Sequence, residues 1–301
     1  MYDVIIIGAG IAGQTASIYA ARKRMNYLLL TKNLGGQFLE SGEVLNYPGI
    51  IETMGVDFEM IMEKQLKFNK VKPKTGEEVI KIEKLNDKFK VITDKNNYPS
   101  KSLIIATGAR PGRLNVPGEE KFAKKGITYC AICDGPLFSG MDIAIIGGGN
   151  SALEAVDFTK DIANKIYLIN NKNKFTAYKY LVEKVKSYKN VEVITYANTT
   201  EIFGDNFVTG LEYERKGKTN TLDVRGVIIE IGRVPNTEFL RNFVETDEHN
   251  HIVIDCQGKT SVDGVFAAGD CASGHEYQYV ISAGQGCMAL LKVAAYLASV
   301  K

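Results

Sequence analysis

The sequence predicts an α/β chain built from two parallel-sheet domains, and three observations carry that prediction. An apolar run, Val4-Ile5-Ile6-Ile7, leads directly into Gly8-Ala9-Gly10-Ile11-Ala12-Gly13. The same order of strand, glycine turn and helix returns with Ile143-Ala144-Ile145-Ile146 followed by Gly147-Gly148-Gly149-Asn150-Ser151-Ala152. A Cys-x-x-Cys pair, Cys130 and Cys133, stands just before the second turn. Two such units roughly 140 residues apart fit two related domains better than one large sheet. The expected class is α/β, with two Rossmann-like (doubly wound, three-layer) dinucleotide-binding domains.

In chain order, the first strand gives way to a helix from about Ala12 to Arg22 and a return strand, Tyr27 to Leu30, which is the βαβ unit a dinucleotide fingerprint needs. Gly8 allows the tight turn, Gly10 lets backbone approach a pyrophosphate, and Gly13 lets helix pack on strand, so that phosphates meet the helix N-terminus. The return strand ends in Leu30-Thr31-Lys32, without the acidic residue that usually holds ribose hydroxyls. Residues 73–101 are polar and lysine-rich with strand alternation and predict a surface hairpin. Ser102 to Gly108 reads as a strand ending in Ala106-Thr107-Gly108. In the second unit a helix opens at Ser151 and the return strand is Lys165 to Ile169. Val227 to Ile231 then runs into Gly232-Arg233-Val234-Pro235-Asn236, and Gly264-Val265-Phe266-Ala267-Ala268-Gly269-Asp270 repeats the pattern. Cofactors in open α/β sheets lie across the carboxyl ends of strands, so all three turns are candidate contacts. An apolar helix is expected from Cys287 to about Ala298.

Composition narrows the function. The chain has 301 residues, 45% hydrophobic and 24% charged, which suits a globular protein with a sizeable core. A net charge of +2 gives no global support to nucleic-acid binding. No apolar run reaches the roughly 20 residues of a membrane span and no basic leader precedes the first strand, so a cytoplasmic protein is expected. Five cysteines are too few and too scattered for a secreted disulfide framework. Cys256, Cys271 and Cys287 read as small core or near-core residues.

Cys130 and Cys133 are spaced to close a small disulfide and to lower the pKa of one thiol. The alternatives are a buried structural pair and zinc; zinc wants four ligands and finds no second Cys-x-x-Cys, so no metal is expected. Asp134 fits either a turn residue before Gly135 or the acid/base that protonates a leaving thiolate. Tyr277 and Tyr279 follow Gly269-Asp270 closely enough to face the same ligand, or else they pack. Eight lysines between Lys160 and Lys189 face two acids, which fits a solvated helix face or a docking patch for an acidic protein or a phosphate.

Taken together, Gly8 to Gly13, Gly35-Gly36-Gln37, Asn46-Tyr47-Pro48-Gly49, Ala106-Thr107-Gly108, Cys130 to Gly135, Gly147 to Ala152 and Gly264 to Asp270 resemble the low-molecular-weight, bacterial-type thioredoxin reductases over essentially the whole chain. The resemblance implies that the second domain is inserted into the first: residues 1–112 plus 238–301 form an FAD-binding domain and 113–237 a central NAD(P)H-type domain carrying the dithiol. It implies FAD contacts at Gly8, Gly10, Gly13, Thr31, Gly36, Gln37, Asn46, Thr107, Gly108, Gly269, Asp270, Gln278 and Tyr279. It further implies that Cys133 faces the flavin, Cys130 attacks a thioredoxin-like partner, Asp134 is the acid/base, and the protein works as a homodimer whose central domain swings on hinges near 112 and 238.

One departure bears on the electron donor. Relatives that use NADPH carry His-Arg-Arg-x-x-x-Arg after the second strand, where arginines grip the 2′-phosphate. Here the stretch is Asn170-Asn171-Lys172-Asn173-Lys174-Phe175-Thr176, and all four motif positions differ. NAD(P)H is thereby disfavoured, and reduced ferredoxin, the donor of similar flavin thioredoxin reductases lacking the motif, is favoured. The alternatives are an NADH- or NADPH-dependent reductase of a thioredoxin or peroxiredoxin system and an FAD-binding redox sensor without turnover. A ferredoxin:NADP oxidoreductase would lack the dithiol.

Overall fold

The computed structural model describes residues 1–41, 43–274 and 277–300. Six α-helices stand among them: α1 (Ile11–Arg22), α2 (Gly55–Phe68), α3 (Ala131–Asp134), α4 (Asn150–Thr159), α5 (Lys179–Lys186) and α6 (Tyr279–Ser299). The chain divides into two compact units, Met1–Arg110 with Val234–Lys301, and Pro111–Arg233. The connecting segments Ala109–Pro111 and Arg233–Pro235 pair as a two-stranded ladder.

In the unit formed by both chain ends, a four-stranded parallel sheet runs in the order Val265–Ala267, Leu103–Ile105, Val4–Ala9, Tyr27–Leu34. Its strands are apolar where both faces are covered, and only the end of the edge strand, Thr31-Lys32-Asn33, is polar. Ile6, Leu29 and Ile104 point toward α1 and α6, while Ile5, Ile7 and Ile105 point toward a three-stranded antiparallel sheet, Val79–Leu85, Lys88–Thr93 and Asn97–Ser100. That third layer replaces the simple hairpin expected over 73–101. The return strand also runs four residues past Leu30, to Leu34, because a register shift between Ile7 and Ala9 keeps it paired around the glycine turn.

The second unit repeats the plan. Its five parallel strands lie in the order Ile127–Thr128, Gly226–Ile229, Asp142–Ile146, Lys165–Asn170, Val191–Thr195. Strand alternation sends Ile143 and Ile145 toward α3, α4 and α5, and Ala144 and Ile146 toward an antiparallel meander, Ala197–Gly204, Val208–Arg215 and Lys218–Asp223. Each unit is thus three-layered, with its glycine loop at the carboxyl edge of the parallel sheet.

The last helix departs most from expectation. It begins at Tyr279, eight residues before Cys287, and its 21 residues are long and apolar enough to cross a membrane by length and composition. The polar and small residues Ser282, Gly284, Gln285 and Gly286 obscure it in the sequence. Gly286 makes the close contact with α1: a Cβ there would lie 2.1 Å from the carbonyl oxygen of Ala12, so the helices touch backbone to backbone, while Ser282 and Gln285 bond Asp270 and Gly269. Cys271 is buried as expected, whereas Cys256 is exposed.

Candidate active site

Cys130 and Cys133 are joined as a disulfide, with their Cα atoms 5.4 Å apart. Cys130 caps the short helix α3, and its Sγ accepts the backbone N–H of Cys133 at 3.2 Å. Burial of Ala131 and Phe138 anchors the segment in the second unit's core, where the Phe138 ring fills the space a side chain on Gly226 would need. Upstream, Tyr129 donates to the buried Glu119 carboxylate at 2.7 Å, and the same carboxylate accepts the N–H groups of Leu114 and Asn115. Burial, followed by this bond, pushes the Tyr129 phenol well above its ordinary range. Asp134 is held by Thr128, whose hydroxyl donates to Oδ2 at 2.5 Å and accepts from the N–H of Cys130 at 3.1 Å. Thr128 thus fixes the Asp134 carboxylate and the Cys130 backbone together.

The second glycine loop lies at the carboxyl edge of the same sheet. A Cβ on Gly147 would meet the carbonyl oxygen of Glu230 at 2.1 Å, and one on Gly148 would meet the Asn170 amide at 2.6 Å. Asn170 is turned into its own loop, accepting from the N–H of Lys172 at 3.1 Å and donating to the carbonyl of Lys174 at 3.2 Å. Thr176 N–H bonds the Gly148 carbonyl at 2.8 Å, and Tyr178 N–H bonds Asn150 Oδ1 at 2.9 Å. The segment that would hold a phosphate clamp therefore folds back on the loop. Of the eight lysines from Lys160 to Lys189, Lys160, Lys165, Lys179 and Lys184 pair with Asp161, Glu192, Glu183 and Asp157. Lys172, Lys174, Lys186 and Lys189 are exposed with no ion pair among the described residues. The patch is thus weaker than its composition suggests.

In the first unit the residues singled out by sequence come together. Gly8, at φ +102°, lies so close to the neighbouring strand end that a Cβ would be 2.9 Å from Thr107 Cα. Gly36 faces Gly10, whose own Cβ position is open. Gly13 packs on the Gly8 carbonyl, and Gly269 packs near Ala12. Gln37 donates to the Ala109 carbonyl at 3.0 Å, and its carbonyl accepts from the Tyr279 hydroxyl at 3.2 Å. Asn46 donates to Gln278 at 3.1 Å. Thr107 donates to the Asn236 carbonyl at 2.8 Å, and Asn236 returns a bond at 2.9 Å. Asp270 accepts from Ser282 at 3.1 Å.

Two of the expected residues also make contacts within the chain. The Thr31 hydroxyl donates to the Asn33 carbonyl at 2.6 Å. The Tyr279 ring stacks on Phe38 at 4.8 Å within a cluster that includes Phe58, and its hydroxyl also meets Ser41, so it packs and ties down the 36–41 segment. The open position at Gly10, the glycine-lined approach of Gly36 and Gly8, and the free space at Gly108 form a cradle with room for an anionic dinucleotide, so the residues fit a flavin nucleotide.

Other residues of the site escaped the sequence reading. Gln285 Oε1 accepts the Gly269 N–H at 2.7 Å, tying α6 to the last glycine turn. Gln14, one residue past Gly13, donates to both oxygens of Glu59 on α2 at 2.8 and 2.9 Å. Neither pair has a local signature. Glu230 does, as the one acid in an apolar strand.

Two dinucleotide-type loops and a disulfide on the inserted unit define a dinucleotide-dependent disulfide oxidoreductase. The pyridine nucleotide-disulphide oxidoreductase family matches residues 2–295, and the chain belongs to it. It is a flavin disulfide oxidoreductase of the type shared by thioredoxin reductases and the F subunit of alkyl hydroperoxide reductase. That alkyl hydroperoxide reductase protein of Staphylococcus aureus (strain MSSA476) is 38% identical over 299 residues, covering 98% of this chain, which spans 59% of that relative's length. Among solved structures, Lactococcus lactis thioredoxin reductase matches with a TM-score of 0.86 at 32% identity, over 99% of this chain and all of that one. T. acidophilum thioredoxin reductase gives 0.81 at 35% identity, over 100% and 99%. A ferredoxin-flavin thioredoxin reductase from Clostridium acetobutylicum gives 0.56 at 30% identity, over 99% and 98%.

Glu59 makes the cradle's support sensitive to pH. Burial pushes its carboxyl up to about 7, the neighbouring Glu63 adds to this, and the bond from Gln14 opposes it. A carboxyl raised from 4.5 binds its proton more tightly folded than unfolded, so its contribution is full below 4.5 and lost as pH rises through about 7. Denaturant titrations should show the wild type losing up to about 1.4 kcal/mol per pH unit across that window relative to Glu59→Gln. Parallel stability curves for the two proteins would contradict this assignment.

Proposed function

We propose that the chain reduces a thioredoxin-like protein through FAD in the unit formed by both chain ends and the Cys130/Cys133 dithiol, drawing electrons from a reduced ferredoxin-type donor in preference to NAD(P)H. The observation that carries the reading is the Cys130–Cys133 disulfide on a unit whose nucleotide loop is flanked by Asn170-Asn171-Lys172 where an arginine clamp would stand. Bound FAD would supply a carrier that accepts electrons from the donor and passes them in pairs to a disulfide.

The chain's own residues do the rest. The backbones of Gly8, Gly10, Gly13 and Gly36 would receive the pyrophosphate at the N-terminus of α1, with Thr31, Gln37, Asn46, Thr107, Gly108, Gly269, Asp270, Gln278 and Tyr279 completing the site. Cys133 takes the electron pair, which leaves Cys130 free as a thiolate. The Cys130 thiolate attacks one sulfur of the partner's disulfide and the other leaves with a proton from Asp134, held for that task by Thr128. Cys133 then displaces the partner, closing Cys130–Cys133 again and releasing a reduced dithiol.

Losing charge-assisted arginine bonds worth roughly 1.5 to 3 kcal/mol each argues against NADPH. The exposed Lys172, Lys174, Lys186 and Lys189 support steering of an acidic protein. A second reading, an NAD(P)H-driven reductase of a peroxiredoxin system, is favoured by the identity to the alkyl hydroperoxide reductase protein. Exposed apolar residues on α2 (Val56, Met60, Ile61) and α6 (Val280, Met288, Leu291) support a homodimer, and the relatives' character supports a cytoplasmic one.

Two experiments test the reading. Cys133→Ser should trap a mixed disulfide between Cys130 and a thioredoxin-like partner, detected as a covalent adduct on non-reducing gels, whereas Cys130→Ser should trap none. Adducts through Cys133 in the Cys130→Ser protein would reverse the assignment. Under anaerobic conditions, visible absorbance of the flavin should bleach rapidly with reduced ferredoxin and slowly with NADH or NADPH. Saturable bleaching at low NADPH would refute the donor and favour the second reading.

A further inference from the structure

The apolar strand Gly226–Ile229 is continued at its carboxyl end by Glu230. The Glu230 N–H donates to the carbonyl of Ile146 at 2.8 Å, which seats the residue beside Gly147 where the strand order reverses. Gly226–Ile229 pairs in parallel with Ile127–Thr128, Thr128 opposite Ile228, so Cys130 and Glu230 follow at matching positions two residues beyond that pair, and the Ala131 N–H favours the ionised form of the carboxyl. That N–H belongs to the peptide that joins Cys130 to Ala131, so the carboxyl and Cys130 are neighbours at the same sheet edge.

We propose that Glu230 is a positioning residue that sets the thiol–thiolate equilibrium of Cys130 in the reduced protein. This rests on the reading of Cys130 as the exchanging thiol. Ionised, Glu230 holds the Ala131 N–H and opposes a second negative charge beside it; protonated, it lets the thiolate form. Among the groups facing it, Glu154 on α4 repels its charge, Arg233 after the strand attracts it, and Asp134 is engaged with Thr128 on the neighbouring strand. Burial is the largest influence and pushes the Glu230 carboxyl up to about 7, within the range where thiols exchange.

The two groups therefore titrate as a pair. When Cys130 Sγ–H releases its proton to solvent, Glu230 takes one from solvent, and the reduced site carries one negative charge through the neutral range rather than two. When the disulfide closes, the sulfur charge disappears and Glu230 is released to ionise. The same carboxylate borders the glycine loop, so an anion entering that crevice would meet it as well.

Full-length protein carrying Cys133→Ser, reduced with a phosphine, isolates the effect. The rate of iodoacetamide alkylation at Cys130, read by peptide mass spectrometry, is followed across the neutral range with and without Glu230→Gln. Glutamine keeps an acceptor for the Ala131 N–H and drops the charge. The variant should lower the apparent thiol pKa by about one unit and speed alkylation at neutral pH roughly threefold, less than tenfold because a thiolate of lower pKa is less nucleophilic. Glu154→Gln, which removes the repelling charge from an exposed helix position, should shift the rate the other way. Superimposable pH profiles for the parent and Glu230→Gln would overturn the proposal. Alkylation needs neither flavin nor partner protein, so this outcome is separate from that of the donor and trapping experiments.

Discussion

The structure depends on a run of contacts in which backbone meets backbone and no side chain fits. A Cβ on Gly13 would sit 1.9 Å from the Gly8 carbonyl oxygen, one on Gly8 would sit 2.3 Å from that of Ala106, and one on Gly286 would sit 2.1 Å from that of Ala12. These approaches press the N-terminus of α1 onto the carboxyl edge of the sheet and lay α6 across it. They also draw in the outer turns, since α6 then offers Gln285 to Gly269 and Ser282 to Asp270. A helix N-terminus held this firmly presents its free N–H groups to one place, which is the physical basis for binding an anion there.

The second unit obeys the same steric rule with different furnishing. Gly147 is pinned by Glu230 and Ala152 much as Gly8 is pinned by Ala106. Yet its neighbouring strand ends in an asparagine bonded within its own turn, and a carboxylate stands at the switch point. The unit keeps the architecture of a dinucleotide domain, and in our proposal that carboxylate acts on the dithiol. Similarity to both thioredoxin reductases and an alkyl hydroperoxide reductase is consistent with a common scaffold whose donor is chosen by a few side chains.

The glycine loops and the redox pair were legible in the sequence because each is a contiguous pattern with one steric explanation. Elements whose logic is distant were not. The meander Ala197–Asp223 is half exposed, so its alternation is diluted by Asn198, Glu201 and Thr219, and nothing local separates it from loop. The start of α6 was hidden by Gly286, which the contact with α1 requires, and by Ser282 and Gln285, which bond the Gly269–Asp270 turn. Gln14 and Glu59 lie 45 residues apart and meet only when α2 closes over α1. Thr31 and Tyr279 show what a motif does not encode: their hydroxyls also bond Asn33, Gln37 and Ser41, contacts set by the folded chain.

In our proposal the two loops, alike in backbone, differ in what they hold. Flavin content of Gly10→Glu and Gly149→Glu proteins tests this most directly, because a Cβ meets nothing within 4 Å at the first position and only Thr176 Oγ1, at 3.8 Å, at the second. Both variants should fold by circular dichroism. The Gly10→Glu protein should be colourless and the Gly149→Glu protein yellow, with stoichiometric FAD. Flavin retained in the first, or lost from the second, would contradict the division of roles between the loops.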